Sequence, residues 1–264
     1  DGVDSFEVGD HVVYIFVPSC GNCIPCKEGR PALCGPGLAV NGAGTLLSGE
    51  KRIHLNGDLI NHQVGVSCFA EYTVVSSKSL VKVDKTLPLD EAALFGCAVI
   101  TGAGAVFNTA KIRAGSTVAV IGLGGTGLAA LMGAKAAGAS KIIGIDLLKE
   151  KLDIAKQLGA DEVYKADDPN LLENLRTFTN GGVHYSFECA GSEKAIELAY
   201  KILRRGGTTV SSGLSHPDKN FSIQHVDLVA GEKTIKGSFL GSCVPDRDIP
   251  AYIDLYKTGR LPVD

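Results

Sequence analysis

Four cysteines near the start of the chain form its densest group of reactive side chains. They follow the pattern Cys-x-x-Cys-x-x-Cys with one more cysteine further on, at Cys20, Cys23, Cys26 and Cys34. Thiolates at this spacing can converge on one tetrahedral ion and leave no open position, as in structural zinc sites. Disulfides are the alternative, but cysteines three residues apart pair poorly in a compact turn, and the composition does not suggest secretion. The spacing therefore predicts a structural zinc lobe whose metal-binding energy is also folding energy.

A glycine-rich segment provides the second chemical pattern. The sequence Gly122-Leu-Gly-Gly-Thr-Gly127 follows the apolar run of residues 117–121 and precedes a helix-like segment. In that context GxGxxG predicts a dinucleotide-binding turn. We expect Gly122 to make the strand-to-helix turn, Gly124 to let the backbone approach a pyrophosphate, and Gly127 to let helix and strand pack closely.

Residues around this motif predict which dinucleotide binds. The phosphates are expected at the N-terminus of the following helix, where the amides of Gly125 and Thr126 would donate hydrogen bonds. The next apolar run, residues 141–145, ends in Asp146. A carboxylate there accepts hydrogen bonds from both ribose hydroxyls and repels a 2′-phosphate, so NAD is favoured over NADP. Lys151 is a further candidate contact to this ribose, the alternative being a solvated helix lysine.

The elements that must position these residues change character between residues 97 and 115. Before that point, short alternating runs such as residues 12–16 and 72–75 predict antiparallel β structure. After it, apolar strands alternate with helix-like segments, which predicts a parallel sheet covered on both faces. The expected fold class is α/β, a doubly wound parallel sheet preceded by an antiparallel β region. The predicted strands and helices are 117–121, 126–137, 141–145, 149–158, 161–164, 170–178, 184–188, 193–203 and 208–212.

Composition narrows the classes of function. The chain has 264 residues, enough for one large or two medium domains, with 45% hydrophobic and 21% charged residues as in ordinary globular proteins. A formal net charge of -3 offers no basic footprint for nucleic acid or for a membrane surface, and no apolar run predicts a membrane span. We therefore expect a small-molecule partner, and the clustered cysteines favour a reducing compartment, the cytoplasm.

Taken in chain order, these motifs resemble those of the zinc-dependent medium-chain alcohol dehydrogenases. The cysteine quartet, the segment Phe95-Gly-Cys-Ala-Val-Ile-Thr-Gly-Ala-Gly104, the glycine motif and Asp146 occur in the order seen in that family. The resemblance covers essentially the whole chain. It implies a partial GroES-like catalytic domain at residues 1–101, a Rossmann NAD-binding domain at 102–238, and the start of a return to the catalytic domain at 239–264.

The resemblance also implies roles that the residue pattern alone does not indicate. Cys97 would be one of three protein ligands of a catalytic zinc, and Thr101 would lie against the nicotinamide ring. Ser212, Gly213 and Leu214 resemble the family's backbone contacts to the carboxamide. Without the resemblance, Cys97 would be interpreted as an ordinary buried cysteine.

The implied activity is hydride transfer between NAD and a primary or aromatic alcohol, which the catalytic zinc would activate. The family also forms homodimers or homotetramers, here through a strand near residues 234–238. Two alternatives remain open. The insert at residues 35–63 looks similar to that of the glutathione-dependent formaldehyde dehydrogenase branch, and the chain could instead be a non-catalytic NAD-binding module.

The sequence departs from the family pattern at both ends. Family members carry a further cysteine and a Gly-His-Glu segment upstream of the quartet, and no match precedes Val8. The first residue is Asp1 and the one methionine is Met132, while residues 255–264 resemble the point of re-entry into the catalytic domain. We therefore expect a chain shortened at both ends that retains Cys97 of the catalytic ligands and has little or no dehydrogenase activity alone.

Overall fold

A computed structural model describes residues 3–264 and divides them into two compact units. The first contains the chain up to Cys97 together with Ser242–Ile253, and the second contains Ala98–Gly241 together with Asp254–Val263. The strands are β1 (His11–Tyr14), β2 (Ile53–Leu55), β3 (Asp58–Ile60), β4 (Leu80–Val83), β5 (Thr117–Ile121), β6 (Lys141–Asp146), β7 (Glu162–Lys165), β8 (Val183–Glu188), β9 (Leu203–Ser211) and β10 (Thr234–Gly237). The helices are α1 (Ile24–Lys27), α2 (Gly35–Ala43), α3 (Leu89–Ala93), α4 (Ala98–Gly104), α5 (Gly125–Ala136), α6 (Lys149–Gln157), α7 (Leu171–Thr179), α8 (Glu193–Lys201), α9 (His225–Ala230) and α10 (Pro245–Lys257).

The first unit contains two small antiparallel sheets. Strand β1 pairs with β4, so that Val13 lies opposite Val81 and both side chains are buried. Strands β2 and β3 form a short hairpin whose large hydrophobic side chains are mostly exposed. The predicted antiparallel β region is therefore present in reduced form.

One predicted strand of this unit is absent. Residues 72–75 adopt no strand conformation, and Tyr72 is almost fully exposed. The segment from Phe69 to Tyr72 is likewise irregular. A β-rich sequence becomes a strand only when a neighbouring strand completes its hydrogen bonds, and no such neighbour pairs with these residues in the described part of the chain.

The second unit is built around a six-stranded parallel sheet in the order β10-β9-β8-β5-β6-β7. Every residue of β5 is buried, because alternate side chains face two hydrophobic cores. Val118 and Val120 belong to one core and Ala119 and Ile121 to the other. The strand order reverses between β5 and β8, which in open α/β sheets is where ligands bind, beyond the carboxyl ends of the strands. The predicted α/β fold class is confirmed.

The boundaries of these elements follow the predicted alternation closely, with one exception. Strand β9 begins at Leu203 rather than at Thr208, and its pairing with β8 shifts register between Val183 and Tyr185.

No single helix among residues 3–264 is long and apolar enough to cross a bilayer. The segments Leu89–Gly96 and Ala98–Ala110 are long and apolar enough only when they are taken together, and the chain bends by 51° between them.

Candidate metal and dinucleotide sites

The four clustered cysteines are brought together by two short helical segments of the first unit. Cys23 precedes α1, which has a proline in its first turn, and Cys34 is the N-cap of α2. The four sulfur atoms all lie within 4.8 Å of one another. The sulfurs of Cys23 and Cys34 are 3.9 Å apart, close to the separation of about 3.8 Å that follows from tetrahedral Zn–S bonds of about 2.3 Å. The donor set fits zinc.

Backbone amides donate hydrogen bonds to sulfurs of this cluster. The sulfur of Cys20 accepts hydrogen bonds from the N–H groups of Asn22 and Cys23, each at 3.4 Å. The sulfur of Cys34 accepts from the N–H groups of Cys20 at 3.2 Å and Gly37 at 3.3 Å. Such donors stabilise the negative charge of a thiolate, which is the form that binds a metal.

The thiols of the cluster differ strongly in pKa. The amides of Asn22 and Cys23 hold the pKa of Cys20 at about 6. Burial raises the pKa of Cys26 to about 12. Near neutral pH these two thiols would differ in charge without a metal, so a divalent cation is the group that would hold all four sulfurs as thiolates.

The glycine motif forms a tight turn between β5 and α5 in the second unit. Gly122 has a φ of +86°, and a Cβ there would lie 2.7 Å from the amide nitrogen of Ala190. A Cβ on Gly127 would overlap the carbonyl oxygen of Gly122, so the helix can approach the turn this closely only with glycine. A Cβ on Gly124 would meet no atom within 4 Å. The turn is thus tightly packed at Gly122 and Gly127, whereas there is open space at Gly124.

The open side of this turn is the start of a helix. Helix α5 begins at Gly125, with Thr126 as its second residue, and no side chain caps its N-terminus. First-turn N–H groups lack partners within their own helix, and the helix dipole places partial positive charge there. An anionic group such as a pyrophosphate fits this position, since the N–H groups can donate to it and the space at Gly124 admits it.

Asp146 lies at the end of β6 and is buried. One of its oxygens accepts a hydrogen bond from the Leu123 N–H at 2.6 Å, and the other accepts from the Leu148 N–H at 3.0 Å. The carboxylate therefore fixes the glycine turn to the end of β6. Each oxygen retains acceptor capacity. Lys151, the third residue of α6, is half-buried.

A second buried carboxylate, Glu188 at the end of β8, was not expected from the sequence. Its exposed fraction is 1%. One oxygen accepts hydrogen bonds from the N–H groups of Ala190 at 2.8 Å and Gly191 at 2.6 Å, and the other accepts from the Ser211 hydroxyl at 2.6 Å. The sequence does contain a clue to this residue, since Glu188 ends an apolar strand directly before a segment that contains a glycine.

The three predicted carboxamide contacts follow β9 on the same edge of the sheet. The N–H groups of Ser212 and Gly213 donate to the Glu188 carbonyl oxygen at 2.9 and 3.2 Å. The Ser212 hydroxyl is buried and has no hydrogen-bond partner among the described residues. Leu214 is 81% exposed. A buried hydroxyl without a partner, two residues before the exposed Leu214, fits a polar ligand group.

Comparison with known proteins gives the same family for both units. The zinc-binding dehydrogenase family model matches residues 125–258, and the alcohol dehydrogenase GroES-like domain model matches residues 1–85. The alcohol dehydrogenase class-3 of Oryza sativa subsp. japonica is 40% identical over 268 residues, which cover 100% of this chain and 70% of that protein. This chain belongs to the zinc-dependent medium-chain alcohol dehydrogenase family. The resemblance stated from the sequence is thereby confirmed, as is the assignment to the NAD-linked zinc oxidoreductases that act on small-molecule alcohols.

Solved structures agree with this family assignment. An alcohol dehydrogenase zinc-binding domain protein from Burkholderia ambifaria superposes with a TM-score of 0.94 at 32% identity, covering 99% of this chain and 71% of that one. The benzyl alcohol dehydrogenase of Acinetobacter calcoaceticus superposes with a TM-score of 0.91 at 33% identity, covering 100% of this chain and 72% of that one. Zinc and a nicotinamide dinucleotide, the cofactors expected from the sequence, are those of this family.

Cys97 and Thr101 are the remaining predicted site residues of this chain. Cys97 is exposed and directly follows Gly96, which lies against the backbone of Tyr14. Among residues 3–264, the cysteine quartet is the one group of three or more side chains that could hold a metal, and Cys97 lies outside it. Thr101 is half-buried in α4, which belongs to the second unit.

Proposed function

We propose that this chain represents an oxidoreductase whose complete catalytic site transfers hydride between NAD and a primary or aromatic alcohol. The proposal rests on the turn from Gly122 to Gly127. The N-terminus of the helix that follows has no side-chain cap, and there is open space at Gly124. The buried Asp146 accepts a hydrogen bond from Leu123 within this turn. Gly125 and Thr126 would bind the pyrophosphate through their amides. The likeness to a benzyl alcohol dehydrogenase supports an aromatic or other primary alcohol as substrate.

The choice of NAD over NADP rests on Asp146. Its carboxylate is buried and held in place by two backbone N–H groups, so it cannot readily swing away from a 2′-phosphate. Residues 147–151 contain no arginine that would neutralise such a phosphate. Lys151 is proposed to close over the same ribose from the first turns of α6. Together these residues favour a cofactor with two free ribose hydroxyls.

The nicotinamide half is proposed to lie at the carboxyl end of β9. Ser212, Gly213 and Leu214 would contact the carboxamide, and Thr101 would lie against the ring. These groups orient the ring and exclude water from it, which is the protein's contribution to hydride transfer. The buried, unpartnered hydroxyl of Ser212 supports this placement.

Cys97 is proposed as a ligand of the catalytic zinc. Zinc held there would supply Lewis acidity that lowers the pKa of the alcohol. Among the described residues Cys97 has no companion ligands, and one thiolate does not make a three-ligand site. We therefore propose that a polypeptide of these 264 residues binds one zinc at the quartet and has little or no dehydrogenase activity.

A second candidate is the glutathione-dependent formaldehyde dehydrogenase branch. Residues 35–63, whose length suggested that branch, fold as α2 followed by the β2–β3 hairpin. The hairpin side chains of Leu55, Leu59 and Ile60 are exposed. Oxidation of a glutathione–formaldehyde adduct in preference to benzyl alcohol, by a form of the enzyme with a complete catalytic zinc site, would favour this branch.

We further propose the domain ranges 1–101, 102–238 and 239–264 for the GroES-like, Rossmann and returning segments. Strand β10 lies at an open edge of the six-stranded sheet. Pairing of two β10 strands is proposed to form a homodimer, with a homotetramer as the larger assembly. A cytoplasmic location is proposed because thiolate zinc ligands need a reducing compartment.

The cofactor proposal is tested by calorimetric titration of NAD and NADP into wild type and Asp146→Asn. Wild type should bind NAD about tenfold or more tightly than NADP, a difference of about 1.4 kcal/mol. The asparagine keeps an acceptor oxygen for the Leu123 N–H but removes the charge, so the preference should shrink. Equal affinity of wild type for both dinucleotides would refute the role of Asp146.

The zinc proposal is tested by elemental analysis and by anomalous scattering at the zinc edge. One zinc per chain at the quartet, with no oxidation of benzyl alcohol in the presence of NAD, is the expected result. A second zinc bound at Cys97, lost in Cys97→Ser, would show that the proposed lack of activity is wrong.

A further inference from the structure

Glu188 ties together the two loops that follow β8 and β9. Its side chain accepts hydrogen bonds from Ala190 and Gly191 in the first loop and from Ser211 at the end of β9. Its backbone carbonyl accepts from Ser212 and Gly213 in the second loop. One residue therefore receives five hydrogen bonds from the two segments, and nearly all of its surface is removed from solvent.

This carboxylate lies directly behind the predicted carboxamide contacts. A Cβ on Gly213 would lie 2.8 Å from a Glu188 carboxylate oxygen and would overlap the backbone of Gly191. The two loops are thus packed backbone to backbone, with the carboxylate between them. Next to it is a cavity of about 230 Å³ that is lined by Ser211, Gly213 and Lys236, among others. Loss of the carboxylate would remove three of the five hydrogen bonds that hold the two loops together beside this space.

We infer that Glu188 is a positioning residue for the nicotinamide half of the cofactor, an inference that rests on the proposed NAD-binding function. Loss of any hydrogen bond to a buried carboxylate costs free energy, because water cannot replace the lost donor. The carboxylate therefore fixes the geometry of the groups that donate to it. Here those groups are the amides of Ala190 and Gly191 and the hydroxyl of Ser211. The carbonyl oxygen of the same residue holds the next two amides, those of Ser212 and Gly213. Glu188 acts through this backbone, which must be held at one spacing before a carboxamide can bind to it.

The adenosine half of the cofactor depends on a different anchor. The glycine turn is fixed by Asp146 through Leu123, on the other side of the point where the strand order reverses. Gly122 of that turn also lies against Ala190, but the hydrogen bond that anchors the turn is the one to Asp146. Removal of the Glu188 carboxylate should therefore affect the two halves of the cofactor unequally. ADP-ribose, which lacks the nicotinamide, is the probe that separates them.

The experiment is a calorimetric titration of NAD and of ADP-ribose into wild type, Glu188→Ala and Glu188→Gln. In Glu188→Ala the affinity for NAD should fall about tenfold, equivalent to about 1.4 kcal/mol, while the affinity for ADP-ribose stays within about twofold of the wild-type value. Glu188→Gln should restore NAD affinity, because its amide oxygen can accept from Ala190 and Gly191 while its NH₂ group donates to Ser211.

Two further variants keep the test informative if Glu188→Ala does not fold. Ser211→Ala removes one of the three side-chain hydrogen bonds and should weaken NAD binding about threefold with no effect on ADP-ribose. Ser186→Ala is the matched control, since Ser186 is also buried on β8 but bonds to Ala199 and Thr209, away from the loops. It should lower stability without changing the ratio of the two affinities.

The outcomes separate this inference from the proposed function. Failure of wild type to bind either NAD or ADP-ribose would overturn the proposed function itself. Equal losses for both ligands in Glu188→Ala, or a Glu188→Gln variant as weak as Glu188→Ala, would overturn the positioning role and leave NAD binding intact.

Discussion

The cysteine lobe of the first unit and the parallel sheet of the second reach a fixed structure by different means. Helix α1 of the lobe buries no residue, and its fold is defined by four converging sulfurs. In the sheet, every residue of β5 is buried between two hydrophobic cores. A bound ion can thus replace a core where the chain is too short to build one, whereas the sheet is stabilised by apolar burial.

The same contrast applies to the polar groups of the two regions. The sulfurs of the lobe form a candidate ligand set, which a metal would complete. Asp146 and Glu188 of the sheet are instead satisfied by backbone N–H groups and a serine hydroxyl of the protein. The lobe should therefore respond to zinc removal, and the sheet should not.

The largest expected effect is the loss of zinc from the lobe. Cys34→Ser should reduce the zinc content of the chain and abolish hydrogen-exchange protection in residues 20–43. The physical reason is that structural zinc contributes on the order of 10 kcal/mol in small metal-dependent folds. Protection of helices α5 to α8 should remain.

Cys68→Ser is the control for this experiment, because Cys68 is exposed and lies outside the quartet. It should retain full zinc. A Cys34→Ser variant that keeps one zinc per chain and a protected lobe would remove the contrast between the two regions.

A smaller effect is expected from two glycine variants of the sheet unit, of which one should affect stability and the other NAD binding. Gly127→Ala places a Cβ against the carbonyl oxygen of Gly122 and should cost about 2–3 kcal/mol of unfolding free energy. Gly124→Ala meets no atom within 4 Å, so its stability should change by about 0.5 kcal/mol or less. Its methyl group should nevertheless weaken NAD binding about tenfold, since it fills the space proposed for the pyrophosphate.

Urea unfolding and calorimetric NAD titration of both glycine variants provide the measurements. Equal stability of the two variants would contradict the packing argument. Normal NAD affinity of Gly124→Ala would contradict the placement of the pyrophosphate.

The smallest expected effect is a pH dependence in the sheet unit. The imidazole of His184 accepts a hydrogen bond from the Thr117 N–H at 3.1 Å. Burial, and then the charge of Arg204, lower the pKa of His184 below its usual value of 6.5. The unfolded chain therefore binds a proton more readily, so this stabilisation is complete above pH 6.5 and is lost as the pH falls through the folded-state pKa. The loss should amount to about 1 kcal/mol, the contribution of one hydrogen bond.

Unfolding free energies measured between pH 7.5 and pH 5 would show this dependence. His184→Gln should flatten the profile in this range. His62 of the first unit also has a pKa lowered by burial. Hydrogen exchange would show whether the residues that lose protection at low pH lie around His184 or around His62. Loss of protection around His62 alone would contradict the assignment of the pH dependence to His184 of the sheet.

Much of the fold could be predicted because local patterns repeat along the second unit. Strand β5 was placed at its observed residues, since five consecutive apolar residues before a glycine turn have few other interpretations. Residues 72–75 show the limit of this reasoning. Their β-branched and aromatic side chains favour a strand, but a strand also needs a partner, and pairing is a property of the tertiary structure.

The candidate sites divide in the same way. Spacing alone predicted the quartet and the glycine turn, because their ligands and backbone conformations are set by residues close in sequence. Glu188 could not be recognised in this way, because the groups that define its role lie on two loops that only the parallel pairing of β8 and β9 brings together.

The sequence by itself determined the family through the order of its motifs. It also predicted the cysteine quartet and the glycine turn, since each of these two is encoded in a short, contiguous pattern. The tertiary structure decided which carboxylates are buried, which backbone groups they hold and which predicted strand has no partner. The physical reason is that burial and hydrogen bonding depend on groups far apart along the chain, whereas turn geometry and metal-ligand spacing do not.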